Sequence, residues 1–95
     1  MKRERKIFSG RSNPELAKKI ANSADCQLGD ISIKTFSDGE IWVKYEENVR
    51  GQDVFIIQST NGPSENIIEL ALMTDAAVRA SASTVNIIMP YFGYG

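Results

Sequence analysis

Histidine is missing from all 95 residues, and cysteine occurs once, at Cys26. The first absence removes histidine bases, Ser–His nucleophiles and histidine–metal sites. The second removes any internal disulfide and any cysteine metal site. No apolar run approaches the roughly 18 residues that a membrane helix needs. The charged start, Met1-Lys-Arg-Glu-Arg-Lys6, leads into Ile7-Phe8-Ser9-Gly10-Arg11, too short and too polar for the apolar region of a signal peptide. A soluble, cytoplasmic chain that makes no use of a membrane is the expectation. There is no Gly-x-Gly-x-x-Gly and no Walker lysine, so no standard phosphate loop is present. Internal repeats, low-complexity tracts and linkers are lacking too, which favours one continuous domain over residues 1–95.

Basic residues are scarce over most of the length. Residues 1–11 carry five of them against one acid, whereas residues 12–95 carry six against eleven. Past Arg50 the only basic residue is Arg79, so the second half has no cations of its own with which to clamp a phosphate-rich ligand. The net charge of −1 argues against general polyanion binding, and no nucleic acid is expected as a partner. What is present is ordinary for a folded domain: 42% hydrophobic and 24% charged residues argue against wholesale disorder, and 95 residues suit a single small core.

The pattern along the chain predicts alternating strands and helices. Lys6–Gly10 reads as a short strand ending at a glycine. Ser12-Asn13-Pro14-Glu15 is a helix start, with a polar cap, an early proline and an acid near the positive dipole end. Leu16, Ala17, Ile20 and Ala24 recur at helical spacing, with Lys18 and Lys19 on the wet face and an end near Ala24. Ile31–Phe36 and Ile41–Tyr45 alternate around Ser37-Asp38-Gly39-Glu40, a strong hairpin signal. Asn48–Gln52 is a turn, and Asp53–Gln58 a buried strand. Thr60-Asn61-Gly62-Pro63-Ser64 is loop chemistry closing on a cap at Ser64. A helix from Glu65 to about Ala80 is apolar nearly all round, so its own sheet and a second subunit are the expected covers. Thr84–Pro90 is another buried strand, and strand–helix–strand over 53–90 predicts a right-handed crossover with a parallel pair. The class is α/β: three layers, a mostly parallel twisted sheet with flanking helices and a β-hairpin.

Pro90 is followed by the aromatic Tyr91-Phe92-Gly93-Tyr94-Gly95, at the carboxyl end of a strand where ligands sit in open α/β sheets. A central parallel strand needs a following helix to cover its face. The expectation is therefore the front part of a longer protein, or a remnant of one.

Two readings of Phe36-Ser37-Asp38-Gly39-Glu40 stand side by side. In one, it is a charged hairpin tip whose Asp-Gly serves backbone geometry. In the other, Phe36 offers a face to a planar base and the carboxylates accept protons from exocyclic amine or ribose hydroxyl groups. Carboxylates repel phosphate, so such a loop reads the base end of a nucleotide; a Mg²⁺ site on the two acids is a further alternative. Glu47-Asn48-Val49-Arg50-Gly51 is a turn with a solvated arginine, or an anion site in which Arg50 forks onto a phosphate. Ser81 and Ser83 are simple loop residues or phosphate ligands, and Gln58-Ser59-Thr60 stands where ligands or turn caps occur.

The order of these segments carries more than any one of them. Lys6-Ile-Phe-Ser-Gly10, Asn13-Pro-Glu-Leu-Ala17, Phe36-Ser-Asp-Gly-Glu40, Glu47-Asn-Val-Arg-Gly51, Asp53-Val-Phe-Ile-Ile-Gln-Ser-Thr60, Glu69-Leu, Arg79-Ala-Ser-Ala82 and Pro90-Tyr-Phe-Gly-Tyr94 closely resemble the amino-terminal domain of the ribose-phosphate pyrophosphokinase (PRPP synthetase) family. The likeness runs from Lys6 to Tyr94. It implies a type I phosphoribosyltransferase-like amino-terminal domain within a two-domain subunit, with the second domain absent from these 95 residues. It also implies transfer of the β,γ-diphosphoryl group of ATP to the C1 hydroxyl of ribose 5-phosphate with Mg²⁺, and assembly as hexamers built from dimers.

By that resemblance, Phe36, Asp38, Gly39 and Glu40 form the ATP loop, which reaches the adenine of ATP held chiefly by a neighbouring subunit. Asn48, Arg50 and Ser81 fall where some members bind a regulatory phosphate or ADP; such members often have Ser where Asn48 stands. The family continues after Tyr-Phe-Gly-Tyr with alanine and an Arg-Gln-Asp stretch that grips ATP, whereas Gly95 stands here. Its metal-binding histidine, basic catalytic loop and ribose 5-phosphate loop have no counterpart, and Asn61-Gly-Pro-Ser-Glu-Asn66 departs from the common Asn-Asp-Asn form. No catalytic residue and no metal ligand is therefore assigned here, and the 95 residues alone are expected to be inactive, because phosphoryl transfer needs cations to neutralise developing charge. Relatives that bind and restrain the enzyme make a non-catalytic regulatory module the alternative, and the apolar 65–80 helix makes an oligomerisation module another.

Overall fold

The computed structural model describes residues 3–60 and 64–90. The element order is β1 (Arg5–Ser9), α1 (Pro14–Ser23), β2 (Ile31–Thr35), β3 (Ile41–Tyr45), β4 (Asp53–Ile57), α2 (Glu65–Arg79) and β5 (Thr84–Ile88). β1, β4 and β5 form a parallel sheet in the order β1-β4-β5, and β2 and β3 form a separate antiparallel ladder. The strand–helix–strand expectation over 53–90 is met by parallel pairing of β4 with β5, in which Ile56 stands opposite Ile87. Tyr91–Gly95, the aromatic ending, and Asn61–Pro63 of the loop before α2 lie outside the described residues.

Alternation through the sheet divides the core in two. Phe8, Val54 and Ile56 face Met73 and Ala77 of α2, joined by Val49 and by the inner residues of the hairpin, Ile31, Ile33, Val43 and Tyr45. Ile7 and Ile57 face the other way, onto Ala17 and Ala21 of α1. α1 thus covers one face, while α2 and the hairpin cover the other, which is the expected three-layer α/β arrangement. β4 lies between β1 and β5 and is buried on both faces, so its side chains do not alternate in polarity.

α1 begins as its sequence dictates: Asn13 Oδ1 accepts the Leu16 N–H at 3.1 Å, and Pro14 takes the first turn. α2 differs at its start. Ser64 holds the capping position, but its backbone is already helical and its side chain makes no capping hydrogen bond; its carbonyl takes the Ile67 and Ile68 N–H groups instead.

Both helices end on the same device, with a residue other than glycine at the left-handed position. Asp25 (φ 56°) and Ser81 (φ 65°) adopt the left-handed conformation. The Cys26 and Ala82 N–H groups then reach back to the Ala21 and Ala77 carbonyls, a 6→1 closure.

Only one stripe of α2 is covered by the described residues. Glu69, Met73 and Ala77, four apart, are buried, whereas Ile67, Ile68 and Val78 are 54%, 51% and 60% exposed. The all-round apolar character of this helix therefore outruns what its own sheet and hairpin cover.

Candidate functional site

β2 and β3 pair from Ile31–Tyr45 at the base to Thr35–Ile41 at the tip. Beyond that last pair the Phe36 N–H donates to the Glu40 carbonyl at 2.8 Å, and the Gly39 N–H donates to the Phe36 carbonyl at 2.8 Å. Ser37, Asp38 and Gly39 thus form a three-residue loop whose final position is left-handed, which is why glycine stands there with φ 90°. Asp38 Oδ1 accepts the Glu40 N–H at 3.0 Å, tying the acid to the turn. Asp38-Gly39 builds the turn, as the hairpin reading expects, and the same turn leaves Phe36, 50% exposed, beside two exposed carboxylates.

This donor set does not fit a metal. One oxygen of Asp38 is committed to the backbone, and no group of three His, Cys, Asp or Glu side chains able to hold an ion occurs among the described residues. A hard divalent cation takes about six oxygen ligands.

Thr35, at the tip end of the hairpin, is joined to the segments that follow β1 and β4 by a polar cluster centred on a buried glutamate. Glu69, 3% exposed, sits on the core stripe of α2. Its Oε2 accepts the Arg11 N–H at 2.7 Å and Gln58 Nε2 at 3.0 Å; its Oε1 accepts Arg11 Nε at 2.7 Å. Arg11 Nη2 goes on to Thr35 Oγ1 at 2.8 Å, one residue before Phe36. Gln58 Oε1 accepts the Ser12 N–H at 3.1 Å, and Ser12 Oγ accepts the Ser59 N–H at 2.8 Å. No buried side-chain nitrogen or oxygen among the described residues lacks a hydrogen-bond partner, as burial of charge demands.

Sequence reasoning named Gln58, Arg11 and Glu69 separately and did not join them. The signal was available: Glu69 lies four residues before Met73 and eight before Ala77, and a carboxylate on a core stripe implies a buried partner.

Asn48, Arg50 and Ser81 come together at the opposite end of the sheet. Asn48 Oδ1 accepts the Arg50 N–H at 3.0 Å, which shapes the turn. The Gly51 N–H donates to the Ser81 carbonyl at 2.9 Å, joining this turn to the loop after α2. All three residues are exposed, while Val49 between them is driven into the core. A five-residue strand spans about 17 Å, so this group and the hairpin tip lie at opposite ends of the strands.

Nearby, Glu47 accepts Lys6 Nζ and the Asp30 N–H, both at 2.7 Å. The lysine and then the backbone donor hold its carboxyl below the usual glutamate value. Asp53 accepts Arg3 Nη2 at 2.7 Å and Thr84 Oγ1 at 2.6 Å, and these bonds, the arginine's foremost, lower its carboxyl as well.

A parallel sheet between helices, with an acidic hairpin standing at the carboxyl ends of its strands, defines a three-layer α/β domain of the kind that receives a ligand at that edge. Residues 5–95 match the family model described as the N-terminal domain of ribose phosphate pyrophosphokinase, and the chain belongs to that family. Ribose-phosphate pyrophosphokinase of Fusobacterium nucleatum is 58% identical over 90 residues, and that of Bacillus subtilis 57%, each alignment covering 94% of this chain. The chain spans about 28% of the length of these relatives. The crystal structure of phosphoribosylpyrophosphate synthetase from Mycobacterium smegmatis superposes with a TM-score of 0.89 at 35% identity, covering 97% of this chain and 31% of that one. No helix among the described residues is long and apolar enough to cross a membrane.

Proposed function

We propose that this chain supplies the amino-terminal domain of a cytoplasmic ribose-phosphate diphosphokinase. In that reaction the C1 oxygen of ribose 5-phosphate bonds to the β-phosphorus of ATP and the bond to the α-phosphate oxygen breaks. PRPP and AMP are the products. The contribution of this domain is to read the adenine. The observation that carries the reading is the tip itself: an exposed phenyl face and two carboxylates, fixed by three turn hydrogen bonds, at the ligand edge of the sheet. The ring stacks on the base, and the carboxylates accept its exocyclic N–H protons. The same acids repel phosphate, so the triphosphate points away from them.

Mg²⁺, which such a reaction uses to neutralise the diphosphoryl charge, fits none of the donor sets among the described residues. Asn48, Arg50 and Ser81, gathered at the far end of the sheet, are the residues for a regulatory phosphate or ADP. The exposed Ile67, Ile68 and Val78 of α2 support self-association into dimers and hexamers, and equally support the alternative of a non-catalytic regulatory or oligomerisation module.

Kinetics of the full-length protein separate these readings. Phe36→Ala and the pair Asp38→Asn with Glu40→Gln should raise the KM for ATP about tenfold or more and leave the KM for ribose 5-phosphate in place. An unchanged KM for ATP would reject the adenine role. Arg50→Ala should abolish any response to ADP or phosphate without touching the KM for ATP.

A further inference from the structure

Arg11 joins the fixed core of the domain to the end of the hairpin that carries Phe36. Its Nε and main-chain N–H grip both oxygens of Glu69, each at 2.7 Å. Glu69 cannot yield, because it is buried on α2 and also holds Gln58 Nε2 at 3.0 Å. The guanidinium is a planar fork, so fixing Nε fixes the direction of its remaining N–H groups. One of them, Nη2, meets Thr35 Oγ1 at 2.8 Å.

The hairpin needs such a tie at that end. A two-stranded ribbon is marginally stable on its own, and its position depends on what it packs against. Ile31, Ile33, Val43 and Tyr45 supply packing along the base and middle of the ladder. None of them belongs to the last pair, Thr35–Ile41, from which the tip projects. Thr35 is exposed, so its bond to Arg11 is a polar tether and not part of the core.

We propose that Arg11 is a positioning residue for nucleotide binding: anchored on Glu69, it holds Thr35 and so sets where the Phe36–Glu40 tip stands over the carboxyl ends of β1 and β4. This rests on the adenine reading of the tip. Arg11 acts through Thr35 and touches no substrate. Losing the tether leaves the tip chemistry intact but spreads its position, so ATP binding weakens while the rate of the bound complex stays the same.

Thr35→Val tests this in the full-length protein, since it keeps the shape and strand preference of threonine and leaves the Arg11–Glu69 pair whole. The KM for ATP should rise about fivefold, the size of one net hydrogen bond at an exposed position, with kcat and the KM for ribose 5-phosphate unchanged. Thr35→Ser should restore the wild-type value. Arg11→Ala should match or exceed Thr35→Val, and adding Thr35→Val to it should do nothing further. Amide exchange of Phe36 and Gly39 should quicken in both variants, a readout that needs no ATP.

If Thr35→Val is silent in KM and in exchange while Phe36→Ala raises the KM for ATP, the tether is refuted and the adenine reading survives. An Arg11→Ala variant that loses kcat beside a silent Thr35→Val would mean a direct contact with the reacting phosphates, and would also overturn the proposal. If Phe36→Ala itself is silent, the adenine reading fails and takes the nucleotide role of Arg11 with it, whatever the exchange rates.

Discussion

The ring of Tyr45 stands edge-on to Phe8, with centroids 4.7 Å apart and planes at 84°. Phe8 is wholly buried in β1, so this contact, with the Tyr45 hydroxyl donating to the Met73 carbonyl at 2.8 Å, pins the base of the hairpin to both the sheet and α2. The edge-to-face geometry is the favoured one for an aromatic pair.

Burial pushes the Tyr45 phenol well above its ordinary value of 10.0. A pKa raised by folding contributes stability that is complete below the unfolded value and is lost as pH climbs. The unfolded chain releases this proton first, so stability should fall above about pH 10. Tyr45→Phe should flatten that decline and cost about 1 kcal/mol at neutral pH through the lost hydrogen bond. Urea unfolding at pH 7 and pH 11 measures both effects.

Gly10 has no room for a side chain. A Cβ there would meet Gln58 Oε1 at 2.1 Å and Cδ at 2.4 Å. Gln58 is fully buried and bonded to Ser12, Glu69 and the Asn66 carbonyl, so it moves only by breaking those bonds. Gly10→Ala should destabilise the domain by about 2–3 kcal/mol, read from the urea midpoint. A change below about 0.5 kcal/mol would show that Gln58 relaxes freely.

Ser81 holds a left-handed conformation at the end of α2, with φ 65°. Ser81→Gly removes roughly 1–2 kcal/mol of steric cost and adds about 0.4–1 kcal/mol of freedom to the unfolded chain. The net result should be a gain of about 0.5–1 kcal/mol in thermal or urea unfolding. Asp25→Gly, at the matching place after α1, should gain less, because Asp tolerates this region better than most residues.

Glu47 has its carboxyl lowered from 4.5 by Lys6 and the Asp30 N–H. A depressed acid contributes stability that is present above its unfolded value and is lost as pH falls. Glu47→Gln should therefore weaken the protein slightly at pH 7 and make its unfolding less steeply dependent on pH below 4.5. Parallel acid titrations followed by circular dichroism test this; identical curves would count against it.

Much of the fold was legible because period, turn chemistry and caps agree locally. Asp38-Gly39 marks the hairpin turn, Asn13-Pro14 starts α1, and the unbroken apolar run of β4 signals a strand buried on both faces. The ends of α1 and α2 were placed within a residue or two, but their mechanism was not visible, since Asp25 and Ser81 occupy places where glycine is the usual sign. Ser64 stands at the capping position of α2 as its type suggests, but a capping residue type does not ensure a side-chain bond when the backbone carbonyl already serves.

By itself, the sequence determined the element order, the class, the acidic aromatic turn and the family likeness, all of which depend on neighbours within a few residues or on their order along the chain. Only the tertiary structure decided that Glu69, Gln58 and Arg11 form one buried network, that Arg11 reaches the hairpin at Thr35, and that the Phe36–Glu40 tip and the Asn48–Arg50–Ser81 group occupy opposite ends of the sheet. Those relations join residues up to 58 positions apart. They are set by which strand edges pair and which faces are buried, and a hydrogen bond between distant side chains leaves no periodic trace in the chain.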